Sequence, residues 1–188
     1  NRAQLIMLYE QGLLTVEEAA CIRKGLGKVD LNALEHGEYT GAYEDLFFEV
    51  EAKLLELCGD PAGSLHLARS RNDMGVTMYR MVLRRRIAEV MEALDGFIAK
   101  VATLAKQHEH TIMVAITHTQ QAQISTLGHY LLAACQVLDR DFDRLRHAYD
   151  TVNRSAMGAC AITTTGFPIS RERMAELLGF DEYILNSY

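Results

Sequence analysis

The first segment whose side chains could do chemistry is the run from Arg69 to Asn72, which contains two arginines, a serine and an asparagine. These side chains donate hydrogen bonds, and the fork of an arginine matches a carboxylate or a phosphate. Asp73 follows as a predicted N-cap, which places the donors at the positive end of a helix. Two interpretations fit this spacing equally well. One is an anion-binding corner, and the other is a helix start with solvated or ion-paired arginines.

A second segment, Ile116–Gln123, carries a histidine among hydroxyl and amide side chains. Histidine is a residue type suited to proton transfer, and the neighbours of His118 could fix the tautomer of its imidazole. The alternative is a polar loop that only connects two long helices, because threonine and glutamine are ordinary loop residues. The segment by itself favours the connecting loop.

Two weaker clusters complete the candidates. The small residues of Ser155–Cys160 and Thr163–Gly166 permit close backbone approach and offer amide donors. His108 and His110 flank Glu109, but no further residues at ligand spacing accompany them, so we expect an exposed helix end there. We therefore predict neither a bound metal nor a cofactor.

Composition and charge limit the possible partners. The chain has 188 residues, of which 49% are apolar, so a sizeable core can form. A net charge of −6 at pH 7 argues against general affinity for nucleic acids. The basic run Arg84–Arg86 lies in a helical pattern, which favours a solvated or ion-paired helix face. No apolar stretch is long enough to span a bilayer, so we expect neither nucleic acid nor membrane as a partner.

The cysteines indicate the compartment of the protein, and the chain ends bear on whether the sequence is whole. The four cysteines lie far apart and form no CxxC pair, which favours reduced thiols in a cytoplasmic protein. The first residue is Asn1 rather than Met, and the sequence stops at Tyr188 without a tail. We expect it to be a piece of a longer chain.

Capping residues and apolar spacing predict four helices before residue 60. Strand-like alternation is almost absent, and only two prolines interrupt the chain. The predicted helices cover Arg2–Glu10, a segment from a capping box at Thr15 to Gly25, a short segment from Asp30 to Gly37, and Tyr43–Leu57.

Two much longer helices are predicted over Asp73–Gln107 and Thr126–Val152. Their apolar residues recur at alternating spacings of three and four, as in the seam of a bundle. On the first long helix these residues are Leu83, Ile87, Val90, Leu94, Phe97, Val101 and Leu104. Such narrow seams need partner helices from the rest of the chain or from other subunits. A last short helix is predicted from a cap at Ser170 to Gly179.

These patterns predict an all-α protein with two domains. A small and incomplete N-terminal helical domain is expected over residues 1–64. The first part of a central long-helix bundle domain is expected over residues 65–188.

Taken together, these segments resemble the argininosuccinate lyases, a family of the fumarase/aspartase superfamily. The motifs keep the order and spacing of that family over nearly the whole chain, and several motifs in order are far more specific than any one. They are Arg69–Asp73, Thr117–His129, Asn153–Gly158, Phe167–Arg171, Leu178–Phe180 and Asn186–Ser187. The resemblance implies the long-helix bundle of the fumarase/aspartase type. It also implies a homotetramer whose sites are built from three regions supplied by different subunits.

The resemblance further implies an elimination that splits argininosuccinate into arginine and fumarate, in arginine biosynthesis. Asn72 would contact a carboxylate of the succinyl part of this small-molecule substrate, and His118 would take part in the proton transfers. The family's catalytic serine lies on a mobile signature loop that this sequence lacks, so the chain alone is expected to be inactive. The implied substrate-binding residues are Arg69, Ser70, Arg71, Asn72, Thr117 and Gln120.

Several positions depart from the usual pattern of this family. Leu67 and Ala68 replace a Thr-Gly pair, and Phe47 replaces a residue that is usually histidine. Thr119 replaces a common leucine, Ile124 a common proline and Cys160 a usual glycine. These changes leave the identity of the leaving group open. The alternatives are a paralogous fumarate-releasing lyase with another leaving group, and a non-catalytic relative with an assembly or structural role.

Overall fold

The structure is a computed structural model that describes residues 1–188. The predicted all-α class is confirmed, because eight helices carry most of the chain and the four strands are short. The helices are α1 (Arg2–Glu10), α2 (Val16–Lys28), α3 (Leu31–His36), α4 (Leu46–Cys58), α5 (Pro61–Ser64), α6 (Arg71–Gln107), α7 (Leu127–Val152) and α8 (Arg171–Leu177). The strands are β1 (Ile112–Thr117), β2 (Gln120–Thr126), β3 (Arg154–Ser155) and β4 (Glu182–Tyr183).

The chain folds into two compact units. The first unit consists of Asn1–Arg80 together with Arg154–Tyr188, and the second unit is Met81–Asn153. The domains predicted over residues 1–64 and 65–188 concern how a longer protein divides, and that division stays a prediction.

Side-chain caps determine where the helices of the first unit begin. Thr15 and Glu18 form the predicted capping box of α2, in which each side chain accepts from the other's backbone N–H at 3.1 and 2.9 Å. Asp30 caps α3 as predicted, and Gly37 follows its last residue. Local hydrogen bonds between neighbours therefore explain these boundaries.

The boundaries of α2 and α4 differ from those predicted. The fourth helix begins at Leu46 rather than Tyr43, because the Asp45 carboxylate accepts two backbone N–H bonds and acts as its N-cap. The second helix continues past Gly25 to Lys28. Gly25 lies inside the helix at a close approach to α4, so this glycine is a packing residue and not a helix stop.

The core of the first unit joins α1, α2, α4 and α8. Burying each large apolar side chain contributes about 1.5–3 kcal/mol. The fully buried apolar side chains are Met7, Leu8, Ile22, Leu54, Leu65 and Met174. The amide of Gln4, also buried, donates to the carbonyl of Leu67 at 2.9 Å, which fastens α1 to the backbone just before the Arg69 run.

The second unit contains two antiparallel helical segments joined by a β-hairpin. The part of α6 after Arg80 forms one segment, and α7 forms the other. Close contacts pair Gly128 with Ala105, Cys135 with Ile98, and Arg84 with Asn153. These pairs advance in opposite directions along the two helices, which makes the helices antiparallel.

The β-hairpin occupies the place of the loop that the sequence predicted over Ile116–Gln123. β1 pairs antiparallel with β2 up to Thr117 opposite Gln120. The turn residues His118 and Thr119 have φ angles of 48° and 66°, and a type I′ hairpin turn needs positive φ at both positions. The prediction of a loop was wrong. The hairpin had no sequence signal, because neither turn residue is the asparagine or glycine that is usual in this turn.

Apolar residues of the predicted α6 seam are exposed in this chain. The exposed fraction is 48% for Leu83, 53% for Val90, 54% for Phe97 and 43% for Leu104. An apolar stripe along one helix face is typical of a surface that packs against another element. None of the helices has an apolar stretch of the length needed to cross a membrane.

Candidate functional site

The predicted donor strip, Arg69 to Asn72, lies at the start of α6 as expected, but its cap is different from the one predicted. The helix begins at Arg71, so Asp73 lies in its first turn and is not the N-cap. Ser70 has that role, because its Oγ accepts from the N–H of Asn72 at 3.2 Å. In return the N–H of Ser70 donates to Asp73 Oδ1 at 3.0 Å. The serine of the strip is therefore engaged in holding the helix start.

Asp73 also joins the strip to the cluster Ser155–Cys160. Only 4% of Asp73 is exposed, and its Oδ2 accepts from the N–H of Cys160 at 2.8 Å. Burial raises the pKa of Asp73, while the hydrogen bonds from the backbone of Cys160 and Ser70 lower it. Two segments that are far apart in sequence are thus fixed to one carboxylate.

Arg69 is directed into the first unit. Its Nη2 lies 2.7 Å from Nδ1 of His66, and its Nη1 donates to Asn1 Oδ1 at 2.8 Å. Burial lowers the pKa of Arg69 to about 10, against the opposing effect of the Asp73 and Glu51 charges. Both terminal nitrogens of Arg69 therefore bind partners inside the unit. Its Nε is buried and has no hydrogen-bond partner.

His66 is neutral in this environment. Burial, followed by the positive charge of Arg69, lowers the pKa of His66 to about 4. Because Nδ1 faces an Arg69 donor, the proton belongs on Nε2, which lies 3.4 Å from Glu51 Oε1 without the alignment of a hydrogen bond. Phe47 packs edge-on against the imidazole with ring centroids 4.9 Å apart.

Arg71 and Asn72 are the two strip residues whose side chains point away from the core. Arg71 Nη1 lies 2.8 Å from Glu44 Oε1 and 3.1 Å from Asp45 Oδ2, and its guanidinium lies 4.9 Å above the Phe48 ring. Hydrogen bonds with Glu44 raise the pKa of Arg71, so it stays charged. The side chain of Asn72 is exposed and its amide has no partner in this chain.

The hairpin brings the second set of predicted site residues together. Thr117 and Gln120 are opposite each other, and His118 lies in the turn between them with its side chain exposed. The turn is strained, because a left-handed conformation costs a residue with a Cβ about 1–2 kcal/mol and Thr119 is β-branched. Strained backbone that persists is typical of positions with a functional constraint. These residues belong to the second unit and the strip belongs to the first.

Positive φ angles explain why the resembled family has glycine at two positions where this chain has another residue. Ala68 has φ 53° and Cys160 has φ 51°, and both stand where the resembled family has glycine. Glycine adopts these angles without steric cost, whereas alanine and cysteine do not. The Cys160 thiol donates to the carbonyl of Ala68 at 3.1 Å, so the two altered positions touch.

Sequence reasoning missed the acidic partners of the strip. Glu44 and Asp45 fall at the start of the helix predicted over Tyr43–Leu57, and the only signal for their contact with Arg71 is the general expectation that arginines pair with carboxylates. The bridging role of Asp73 had no local signal. No three His, Cys, Asp or Glu side chains lie close enough together to hold a metal ion.

Comparisons with known proteins agree over the whole chain. The sequence model of the family described as Lyase matches residues 7–187. The chain is 45% identical over 191 residues to argininosuccinate lyase 2 of Agrobacterium fabrum (strain C58), a match that covers 100% of this chain and 38% of that protein. It is 38% identical to argininosuccinate lyase of Methanosphaera stadtmanae, over 100% of this chain and 40% of that protein.

Solved structures of lyases also match nearly the whole chain. EDDS lyase in complex with formate matches with a TM-score of 0.90 at 41% identity, over 99% of this chain and 36% of that one. A variant of EDDS lyase with bound fumarate matches with a TM-score of 0.89, also at 41% identity and over the same shares of the two chains. The chain spans about two fifths of the length of the curated relatives it matches.

Proposed function

The chain belongs to the lyase family whose sequence model matches residues 7–187, and from that membership we propose that the protein splits argininosuccinate into arginine and fumarate. Its substrate is then a small molecule, and the reaction is a β-elimination that breaks a carbon–nitrogen bond. The place of this reaction is the biosynthesis of arginine.

The observation that supports this proposal most directly is that the side chain of Asn72 is exposed and has no hydrogen-bond partner. This residue lies in the first turn of a 37-residue helix, exposed, with an amide that no group of this chain uses. The half-exposed guanidinium of Arg71 lies one residue away and is charged. A helix start with one free amide and a charged guanidinium beside it is a suitable place for a carboxylate of the succinyl part of the substrate.

The elimination explains why such donors are needed. A base removes the proton from the carbon next to a carboxylate, and the electron pair moves onto that carboxylate as an aci-carboxylate. The pair then returns to form the double bond of fumarate while the carbon–nitrogen bond breaks. A donor held ready for this carboxylate, here the unpaired amide of Asn72, stabilises the charge in the transition state, and Arg71 adds a positive charge beside it.

The proton transfers need a titratable group, and we assign one of them to His118. Its imidazole is exposed on a strained turn, flanked by Thr117 and Gln120, which we assign to substrate binding. The second proton-transfer group comes from outside residues 1–188. Residues 1–188 expressed alone are therefore expected to be inactive, and measurable turnover by them would contradict this division of roles.

We further propose a homotetramer in the cytoplasm as the working form. The exposed apolar stripe of Leu83, Val90, Phe97 and Leu104 supports association, since burying it removes apolar area from water. The four cysteines are free, which suits a reducing compartment.

The function is tested by supplying argininosuccinate to the full-length protein and recording the ultraviolet absorbance of fumarate. We expect fumarate and arginine to appear in equal amounts. The Asn72→Ala variant of the same protein, assayed beside it, should release far less fumarate. Failure of the folded wild-type protein to release fumarate would reject argininosuccinate as the substrate.

One observation favours a second candidate, a fumarate-releasing lyase with another leaving group. Phe47, which stands at a usual histidine of the family, packs on His66 and lies 5.8 Å from the guanidinium carbon of Arg69. An apolar ring there removes a hydrogen-bonding group from the neighbourhood of the strip. The match to EDDS lyase fits this candidate.

The two candidates are separated by comparing initial rates of fumarate release from argininosuccinate and from EDDS. The first candidate predicts the faster rate with argininosuccinate. Under the second candidate EDDS is faster, and Phe47→His shifts the ratio of kcat/KM towards argininosuccinate. Absence of fumarate with both substrates would point to a non-catalytic relative.

A further inference from the structure

Two of the four cysteines face each other in the first unit. Cys21 lies in the middle of α2, and Cys58 is the last residue of α4. The Cys58 thiol donates to the carbonyl of Cys21 at 3.1 Å, and Cys21 Sγ lies 3.7 Å from the carbonyl of Cys58. Each sulfur therefore lies against the backbone of the other cysteine. Both side chains are half-buried, and neither is in a disulfide.

A glycine makes this approach possible. A Cβ on Gly25, one helical turn after Cys21, would lie 2.4 Å from Cys58 Sγ. Gly59 then ends α4 directly after Cys58 with a φ of 65°, a conformation that favours glycine. The end of α4 thus places the Cys58 thiol directly against the backbone of α2 near Cys21.

We propose that Cys21 and Cys58 form a paired-thiol modification site, at which a peroxide converts the two thiols to a disulfide that links α2 to α4. The other two thiols lack such a partner. Cys135 Sγ lies near the carbonyl of Ile98, and Cys160 donates to the carbonyl of Ala68. In the pair, by contrast, each thiol reaches the backbone of the other cysteine, so the two side chains extend towards each other, as a disulfide requires.

The chemistry balances with hydrogen peroxide as oxidant. The thiolate of Cys21 attacks one peroxide oxygen, an S–O bond forms, the O–O bond breaks, and the departing hydroxide takes up a proton to become water. The thiolate of Cys58 then attacks the Cys21 sulfur, the S–S bond forms and the S–O bond breaks, and the departing hydroxide takes up the proton that the Cys58 thiol released, which gives a second water. Two thiols are oxidised, and one peroxide is reduced to two waters.

The environment of Cys58 affects how readily it reacts. Burial first, then the hydrogen bond with Cys21 and its charge, raise the pKa of the Cys58 thiol against the opposing effects of the Gly25 backbone and the Lys28 charge. A raised pKa lowers the fraction of Cys58 that is present as the thiolate, which is the attacking form. The same disulfide results whichever of the two thiols attacks the peroxide first.

The test treats the purified full-length protein with hydrogen peroxide and maps its peptides without reduction. We expect one linked peptide joining Cys21 to Cys58, a mass lower by two hydrogen atoms, and reversal by dithiothreitol. The melting temperature should rise by several degrees, because the bond closes a long loop in the unfolded chain. Cys21→Ser and Cys58→Ser should each abolish the linked peptide, whereas the matched variant Cys135→Ser should keep it.

Other products would overturn the proposal. These are oxygen added to a single cysteine with no linked peptide, or a bond from Cys21 or Cys58 to any other cysteine. A second measurement needs no variant. Phenylarsine oxide, which bridges two neighbouring thiols, should bind once per chain and protect both cysteines from a maleimide. Labelling of both thiols in its presence would also overturn the proposal.

Discussion

Asn72 differs from every other residue of its strip because its side chain makes no hydrogen bond within the chain. Arg69 bonds His66 and Asn1, and Ser70 caps the helix. Arg71 is shared between two carboxylates and could exchange them for a substrate carboxylate without leaving its place. Some residues of the strip therefore hold its conformation, whereas the amide of Asn72 is free. A substitution at Asn72 can thus change function without changing the fold.

Asn72→Ala should therefore reduce kcat without changing stability. Loss of one preorganised donor to a developing charge typically costs about 100-fold or more in rate. The side chain is exposed, so we expect the melting temperature to stay within error of the wild type. Steady-state fumarate release and thermal unfolding measure the two quantities.

Asn32→Ala is the matched control for this variant. Asn32 is also an exposed asparagine in the first turn of a helix, α3, but it lies outside the strip. We expect its kcat to equal that of the wild type. Equal rates for all three proteins would contradict the role of Asn72, and an unfolded Asn72→Ala variant would make that residue structural.

His66 should make the protein less stable in mild acid. Its pKa is lowered to about 4 in the folded state, chiefly by burial and then by Arg69, whereas a free histidine titrates near 6.5. Between these values the unfolded chain binds a proton that the folded chain does not, so the free energy of unfolding falls as the pH falls. For this single group the loss between pH 7 and pH 5 is at most about 2 kcal/mol.

Urea unfolding of the wild type and of His66→Gln at both pH values isolates this effect. Glutamine does not titrate, and its amide oxygen can still accept from Arg69. We expect the variant to lose less stability on acidification than the wild type does. The same pH dependence in both proteins would show that His66 is not the group responsible.

The two long helices depend on close backbone approach at one end. Gly128, at the start of α7, is buried, and its N–H donates to the carbonyl of His108 at 3.0 Å. A Cβ there would lie 2.5 Å from the carbonyl oxygen of Ala105, which is backbone and has little room to move. The hairpin therefore returns the chain onto α6 only because this position lacks a side chain.

Gly128→Ala should lower the free energy of unfolding by about 1–3 kcal/mol, as overpacking usually does. Gly96→Ala is its matched control, because Gly96 lies in α6 with open space around the added Cβ. That substitution should instead raise the free energy of unfolding by about 0.5–1 kcal/mol, the usual gain from glycine to alanine in a helix. Denaturant unfolding of both variants is decisive, and a change of the same sign in both would contradict the packing described.

Elements with local signals could be predicted from the sequence, and those without could not. The short helix α3 was predicted because Asp30 and Gly37 act on neighbours within one turn. The hairpin was missed because its turn uses His118 and Thr119 at positive φ, against their usual preference. The contact between Asp73 and Cys160 joins residues 87 positions apart, so no local pattern could announce it.

At the scale of the whole molecule, we propose that the site is shared between subunits. The strip and the hairpin turn lie in different units, and the α6 stripe is uncovered. A tetramer whose sites take the strip from one subunit and the turn from another would give each of these features a use. That arrangement has a consequence that a mixture of two defective variants can reveal.

Asn72→Ala and His118→Ala should each be nearly inactive alone, yet regain activity when they are unfolded and refolded together. If a site takes Asn72 from one subunit and His118 from another, some sites of the mixed tetramers receive both native residues, about one quarter of all sites for random assembly of equal amounts. If both residues came from the same subunit, every site would lack one of them and mixing would restore nothing. Fumarate release by the co-refolded mixture, compared with each variant refolded by itself, therefore decides whether the proposed site is shared between subunits.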